Sequence, residues 1–187
     1  MIKKEIRVLG IAFASPRRNG ASTHVVGVVY RGNRWLEGVM RTVVARDEPN
    51  LTPRIVKMVT KSPHFPQLRL IVLGELFTRS GSFIDIEALN RRTGLPVVAV
   101  LQKKMPIRHL PKTRVGNRRA FKALAALPYS RWRPAHRTYF AYSVGLSGLA
   151  LDELLRVCAS QEGLPEAARV ATIAAASLER LLIGRVP

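Results

Sequence analysis

The apolar positions of the first 45 residues recur in short runs that are typical of β-strands. Three such runs, Ile6–Phe13, His24–Tyr30 and Trp35–Ala45, are rich in β-branched and other apolar residues. The last two are joined by Arg31–Arg34, a short segment with the glycine of a tight hairpin turn. The pattern therefore predicts an antiparallel meander of three strands at the start of the chain.

After residue 50 the pattern changes to alternating helices and strands. Helices are predicted over residues 52–61, with Thr52 as the N-cap, and over 84–93, closed by a left-handed glycine at Gly94. Nearly all-apolar strands, typical of the centre of a sheet, are predicted over residues 68–73 and 96–101. Three meandering strands followed by alternating helices and strands are typical of the ribonuclease H-like order, in which the later strands join in parallel.

Residues 102–137 interrupt this alternation with four prolines and 11 Lys or Arg residues. One short helix is predicted there, over Asn117–Leu127. Residues 106–134 contain few large apolar residues, so we expect them to become ordered only when a polyanion neutralises their charge. One further strand and two helices are predicted to follow, over Thr138–Val144, Leu151–Ser160 and Pro165–Ile183.

The prediction is thus a single ribonuclease H-like α/β domain over residues 1–187, with a mixed sheet flanked by helices and a basic, proline-rich insertion at about 102–137.

The charge of the chain is unbalanced and is concentrated in one region. Lys and Arg number 31 and Asp and Glu 12, which gives a formal net charge of +19. After Glu87 the next carboxylate is Asp152, and the 64 residues between them carry 13 basic groups. Such an excess indicates a polyanionic partner, with nucleic acid favoured over an anionic membrane surface or an unoccupied solvated surface. The chain shows no apolar run of about 18 residues and no signal-peptide core, which predicts a cytoplasmic protein.

Basic residues on the predicted loops and in the insertion form the predicted nucleic-acid contact. Cations neutralise phosphates and flat aromatic faces stack on unpaired bases, and Trp132 between Arg131 and Arg133 offers both. The alternative is that Trp132 packs into the core. The complete predicted set is Arg17, Arg18, Arg31, Arg34, Lys103, Lys104, Arg108, Lys112, Arg114, Arg118, Arg119, Lys122, Arg131, Trp132, Arg133 and Arg137.

Residue types that often carry catalysis show no organised pattern in this chain. The four histidines lack metal-ligand spacing, and Gly145–Gly148 lacks the Gly-Lys-Ser/Thr signature of a phosphate-binding loop. The single cysteine, Cys158, rules out an internal disulfide and has the helical spacing of a small core residue. The residues therefore predict no metal, no cofactor and no activated nucleophile.

Several short motifs follow one another in a specific order. They are Val26–Gly32, Trp35 with Gly38–Val39, Pro66–Arg69, Asp85–Ile86, Thr93–Val97, and Gly163–Glu166 with Arg169 and Ala171. In this order they resemble an archaeal family of unknown function that is related to endonuclease V. The resemblance runs over about residues 5–185, is weakest over 102–137, and implies the ribonuclease H-like fold.

The resemblance also implies a nuclease site in which carboxylates bind Mg²⁺, and the sequence departs from that site. Where related proteins place an Asp after the Gly-Ile of the first strand, this chain has Ala12. Their Asp-Gly pair corresponds here to Leu73–Gly74, or to Gly74–Glu75 after a shift of one, and their Ala-His pair to Ala171–Thr172. Glu75 is the candidate for a surviving ligand, whereas Asp85 is interpreted as the start of a helix.

The combined hypothesis is a catalytically inactive endonuclease V-like domain that binds RNA. Its composition resembles that of ribosomal proteins, which predicts ribosomal RNA and neighbouring ribosomal proteins as partners, with the large subunit favoured. No membrane partner or small-molecule substrate is predicted. Two alternatives stay open: an active metal-dependent nuclease that uses Glu75, Asp85 and a further ligand, and a non-ribosomal RNA- or DNA-binding accessory factor.

Overall fold

A computed structural model describes residues 5–14, 22–46, 48–78, 81–104, 117–134, 137–161 and 163–183. The strands within these ranges are β1 (Arg7–Phe13), β2 (Ser22–Arg31), β3 (Trp35–Ala45), β4 (Leu70–Leu73), β5 (Val97–Leu101), β6 (Tyr129–Trp132) and β7 (Tyr139–Val144). The helices are α1 (Thr52–Thr60), α2 (Ile86–Thr93), α3 (Asn117–Ala126), α4 (Gly148–Cys158) and α5 (Glu166–Ile183), with a short 3₁₀ turn at Phe65–Gln67.

The seven strands form one mixed sheet in the order β3-β2-β1-β4-β5-β7-β6. The predicted meander is confirmed, because β1 pairs antiparallel with β2 and β2 antiparallel with β3. Strand β4 pairs in parallel with β1 and with β5, as the ribonuclease H-like order predicts. Strands β7 and β6 complete the far edge in antiparallel orientation, so the predicted parallel pairing ends at β5.

Helices cover both faces of the sheet and bury its central strands. Leu9 and Ile11 of β1 share one core cluster with side chains of α1, α2 and α3. Val8 and Ala12, on the opposite face of β1, pack on the side of α4 and α5. This division follows from the two-residue period of a strand, and it explains why the central strands are apolar at nearly every position.

The first two predicted helices are confirmed, although α2 begins at Ile86 rather than at residue 84, and one predicted cap is corrected. Asp85 caps α2 by accepting a hydrogen bond from the Ala88 backbone N–H at 2.9 Å, and Gly94 closes the helix with a φ of 70°. Thr52 is not the N-cap of α1, because it lies inside the first turn. Its hydroxyl instead accepts a hydrogen bond from the Asp85 backbone N–H at 2.9 Å, which links the starts of α1 and α2.

The second half of the predicted insertion is integrated into the domain. Residues 129–132 form β6, which pairs with β7, and Leu124 of α3 is buried in the core. The expectation that residues 106–134 become ordered only against a polyanion is therefore corrected for the part from 117 onward. Residues 105–116 lie outside the described residues.

Close contact between α5 and β1 fixes the centre of the fold. A Cβ atom on Gly10 would lie 2.0 Å from the Ala167 carbonyl oxygen, so only glycine allows the helix backbone to approach β1 this closely. Small residues on the same face of α5, Ala168, Ala171 and Ala175, are buried against the sheet. This packing depends on the absence of side-chain volume at Gly10.

Gly10→Ala is expected to lower the free energy of unfolding by roughly 1–3 kcal/mol, because the added methyl group forces α5 away from β1. Gly74→Ala is the matched control, since a Cβ there would meet only the Thr172 hydroxyl, at 4.0 Å. Urea denaturation of both variants provides the measurement. Equal losses of stability in the two variants would contradict the proposed role of the α5–β1 contact.

Candidate functional site

A cleft of about 490 Å³ opens where β4 and β5 end, beside α5. Ligands of open α/β sheets commonly bind outside the carboxyl ends of the parallel strands, which is where this cleft lies. The lining residues are Gly74, Glu75, Leu76, Phe77, Val100, Leu101, Gln102, Lys103, Lys104, Leu164, Ala168 and Thr172.

The positions that correspond, according to the resemblance, to nuclease residues lie close together at this end of the sheet. The parallel register pairs Ile11 with Leu73, so its continuation by one residue places Ala12 beside Gly74. Ala12 is buried in a small apolar cluster with Ala171 and Ala175 of α5. Gly74 faces open space, since a Cβ built there has only the Thr172 hydroxyl within 4.0 Å.

Glu75 is the one acidic residue among the described residues that line the cleft. Its Oε1 atom accepts a hydrogen bond from the Phe13 backbone N–H at 3.3 Å, which holds the carboxylate beside the end of β1. The Thr172 hydroxyl donates to the Ala168 carbonyl of its own helix at 3.0 Å. Asp85 caps α2.

This set of oxygen donors does not fit the carboxylate-bound metal site that the resemblance implies. A two-metal site takes several carboxylates around ions about 4 Å apart. Across the described residues, no group of three or more His, Cys, Asp or Glu side chains is positioned to hold a metal ion.

Two lysines contribute positive charge at the mouth of the cleft. Lys103 and Lys104 lie just after β5, separated from it by Gln102; they line the cleft and are exposed. The ammonium nitrogen of Lys104 lies 4.7 Å from the centre of the Tyr129 ring. A hydrogen bond between these side chains, with the charges of Lys104 and Arg131, lowers the pKa of Tyr129 despite some opposing desolvation. Tyr129, which the sequence analysis did not single out, thus positions Lys104 beside the cleft.

The structure places most of the describable basic candidates in exposed positions. They are Arg34, Lys103, Lys104, Lys122, Arg131, Arg133 and Arg137. For Arg118 and Arg119 the structure describes the helical backbone of α3 but not the side chains. Outside the described residues lie Arg17, Arg18, Arg108, Lys112 and Arg114.

One of the predicted contacts is corrected by its surroundings. Trp132 is 8% exposed, and its indole N–H donates to the Gly163 carbonyl at 3.1 Å, so it is a core residue that cannot stack on a base. Arg31 forms an ion pair with Glu37, which also pairs with Arg7 at 2.6 Å, and the predicted nucleic-acid contact of Arg31 stays a prediction. Desolvation alone would raise the pKa of Glu37, but the hydrogen bonds and charges of the two arginines outweigh it and lower the pKa.

Trp35, the other tryptophan, is 64% exposed beside the β2–β3 turn. The local sequence predicts a strand at this position but does not indicate that β3 lies at the edge of the sheet, so it predicts no contact for Trp35.

Cys158 is a core residue, as its spacing predicted. It is 1% exposed among residues of α4 and the sheet, and burial raises the pKa of its thiol to about 12. A thiol that stays protonated at neutral pH is a poor nucleophile. Within the described ranges, no helix is both long and apolar enough to cross a membrane.

The fold and the cleft define an endonuclease V-like domain, and comparisons with known proteins agree. A model of the endonuclease dU family matches residues 4–179, so the chain belongs to that family. A UPF0215 protein of Methanothermobacter thermautotrophicus is 34% identical over 189 residues, covering 95% of this chain and 89% of the relative. A UPF0215 protein of Methanopyrus kandleri is 43% identical over 105 residues, 55% of this chain and 52% of the relative.

Solved structures show the same fold. A protein of unknown function from Archaeoglobus fulgidus superposes with a TM-score of 0.79 at 23% identity, covering 92% of this chain and 98% of the other. The catalytic domain of human endonuclease V gives a TM-score of 0.63 at 17% identity, with coverages of 96% and 84%. Ciona intestinalis endonuclease V, bound to DNA containing an inosine followed by a ribo-adenosine, gives 0.63 at 12% identity, with coverages of 97% and 87%. The archaeal endonuclease V-related family and the mixed α/β fold expected from the sequence are confirmed.

Proposed function

We propose that this protein binds RNA at the cleft where β4 and β5 of its endonuclease V-like domain end, and that it does not cleave the RNA. The observation that carries the proposal is the composition of the cleft, whose described lining residues include one carboxylate and two exposed lysines. Metal-dependent hydrolysis needs carboxylates that bind cations, which in turn stabilise phosphate oxygens. Here side-chain cations lie at the same edge of the sheet and can contact phosphates directly.

The basic residues near the cleft support binding to a polyanion. Lys103, Lys104, Arg131 and Arg133 belong to the 64 residues that contain no acid. None of them takes part in the ion pairs found among the described residues, which involve Arg7, Arg31, Arg54 and Arg169 instead. Exposed cations without carboxylate partners favour phosphate contacts over internal pairing.

Ribosomal RNA is the partner that we propose within this class, on the strength of the basic composition. Native protein is expected to co-sediment with ribosomal subunits through a high-salt gradient, with the large subunit favoured. Recovery of the protein only in fractions free of ribosomal RNA would refute the ribosomal assignment and leave a non-ribosomal RNA- or DNA-binding factor.

The second candidate function is a metal-dependent nuclease. Membership of the endonuclease dU family and the position of Glu75 in the cleft favour it. It requires further oxygen ligands around Glu75, so metal binding distinguishes the two candidates.

The first test is the response of thermal stability to Mn²⁺. The Tm of the wild-type protein is expected to be unchanged by millimolar Mn²⁺, because a ligand that does not bind the folded state cannot stabilise it. Gly74→Asp is the positive control, since open space at this position accepts a second carboxylate beside Glu75, and its Tm is expected to rise with Mn²⁺. A rise for the wild type that Glu75→Gln abolishes would contradict catalytic silence and support the nuclease.

The second test concerns the salt dependence of RNA affinity. Lys103→Ala with Lys104→Ala is expected to flatten the log–log slope of affinity against salt by about 1.4 to 1.8 units, the value for two lost phosphate contacts. The control is Arg91→Ala with Arg92→Ala, which removes the same number of positive charges. These two exposed arginines lie in the last turn of α2, near the start of β5, whereas the cleft lies near the end of β5. This control is expected to keep the wild-type slope. Equal flattening in both double variants would show that the cleft edge is not the contact surface.

A further inference from the structure

The two tryptophans of the chain have opposite environments. Trp132, the predicted stacking residue, is buried, whereas Trp35 is 64% exposed at the first position of β3. An exposed indole is costly to leave in water, and indoles are well suited to stacking on nucleic-acid bases.

Trp35 lines a cavity of about 440 Å³ that is rich in guanidinium groups. The other lining residues are Glu5, Arg31, Asn33, Arg34, Arg156 and Val157. Arg31 pairs with Glu37, but Arg34 and Arg156 are exposed and appear in none of the ion pairs among the described residues. Among the described residues that line this cavity, Arg34 and Arg156 therefore flank the exposed indole without an ion-pair partner, and Glu5 and no other residue contributes a carboxylate.

The β2–β3 turn, which contains Asn33 and Arg34 and is followed by Trp35, is held in place from two sides. The Asn33 side-chain amide donates to the Ala159 carbonyl at the end of α4, at 2.9 Å. The Gly32 backbone N–H donates to the Ile6 carbonyl before β1, at 2.7 Å. Groups fixed before binding lose less conformational freedom when a ligand arrives, so the turn is preorganised for recognition.

We propose that Trp35 stacks on one unpaired base of a single-stranded nucleic acid while Arg34 and Arg156 contact the adjoining phosphates. This site deepens the proposed function and rests on RNA binding by the protein. It lies at the opposite end of β1 from the cleft, since Arg7 pairs with Arg31 at one end and Phe13 contacts Glu75 at the other. The seven residues of β1 separate the two ends by roughly 20 Å, which makes the two sites independently mutable.

A single-stranded nucleic acid fits this surface better than a second copy of the chain. Exposed Leu36, Val39 and Val43 continue along the edge strand β3 and by themselves would suit a protein. A second copy, however, carries the same net charge of +19 and would bring its own Arg34 and Arg156 against these. A phosphate backbone supplies the opposite charge, and its bases supply the flat apolar faces.

The test uses the full-length protein, a 12-nucleotide oligouridylate and inorganic polyphosphate. Oligouridylate is expected to quench tryptophan fluorescence in the wild type and not in Trp35→Phe, whose remaining indole, Trp132, is buried. Trp35→Ala is expected to weaken oligouridylate binding by about 5- to 150-fold, the range for loss of one stacked base. The same variant is expected to bind polyphosphate like the wild type, whereas Arg34→Ala with Arg156→Ala weakens both ligands.

The outcomes separate failure of this site from failure of the proposed function. If the wild type binds structured RNA or oligouridylate but Trp35→Ala binds equally well and the indole is not quenched, the stacking site is wrong and RNA binding stands. If the wild type binds no nucleic acid at all, both proposals fall. Self-association of the wild type that Trp35→Ala abolishes, with unchanged oligouridylate affinity, would assign the surface to a second copy and overturn the stacking site.

Discussion

The backbone contact between α5 and β1 is the constraint on which the rest of the structure depends. Because Gly10 has no side chain, α5 lies directly on the first central strand, with Ala167 against it. The helix therefore runs past the carboxyl ends of β1 and β4 and brings Thr172 to the edge of Gly74. This contact places Ala168 and Thr172 of α5 along one side of the cleft.

The same geometry is compatible with the proposed absence of a metal site at this end of β1. Ala12 completes an apolar cluster with Ala171 and Ala175, so this end of β1 is packed by methyl groups rather than by hydrated carboxylates. Burying a carboxylate without a cation is costly, and an alanine at this position avoids that cost. Lys103 and Lys104 then provide positive charge at this edge of the sheet. Under the proposed function, phosphates of the bound RNA are the partners of these two lysines.

Most elements could be predicted from the sequence because local signals define them. The all-apolar runs of β4 and β5, the Asp85 cap and the Gly94 terminus each lie within a few residues of the structure they specify. Strand β6 was missed, since its four residues include two polar ones and follow a proline. Its assignment depends on pairing with β7, which the local sequence does not encode.

The site was less predictable because it depends on register and on which strands lie at an edge. Ala12 and Gly74 are 62 positions apart in the sequence, and they lie side by side because β1 pairs in parallel with β4. The environments of the two tryptophans also depend on strand positions in the sheet. Trp132 faces inward and donates to the Gly163 carbonyl, whereas Trp35 is the first residue of the exposed edge strand β3. Flanking arginines occur beside both positions, so sequence neighbours alone do not distinguish them.

The central claim is that this domain holds nucleic acid without cutting it. The most direct measurement follows one end-labelled RNA with the protein and Mn²⁺, and quantifies the bound fraction and the intact fraction in the same sample over time. The account predicts saturable binding with the RNA intact after prolonged incubation. Progressive cleavage by the wild type that Glu75→Ala abolishes would contradict it.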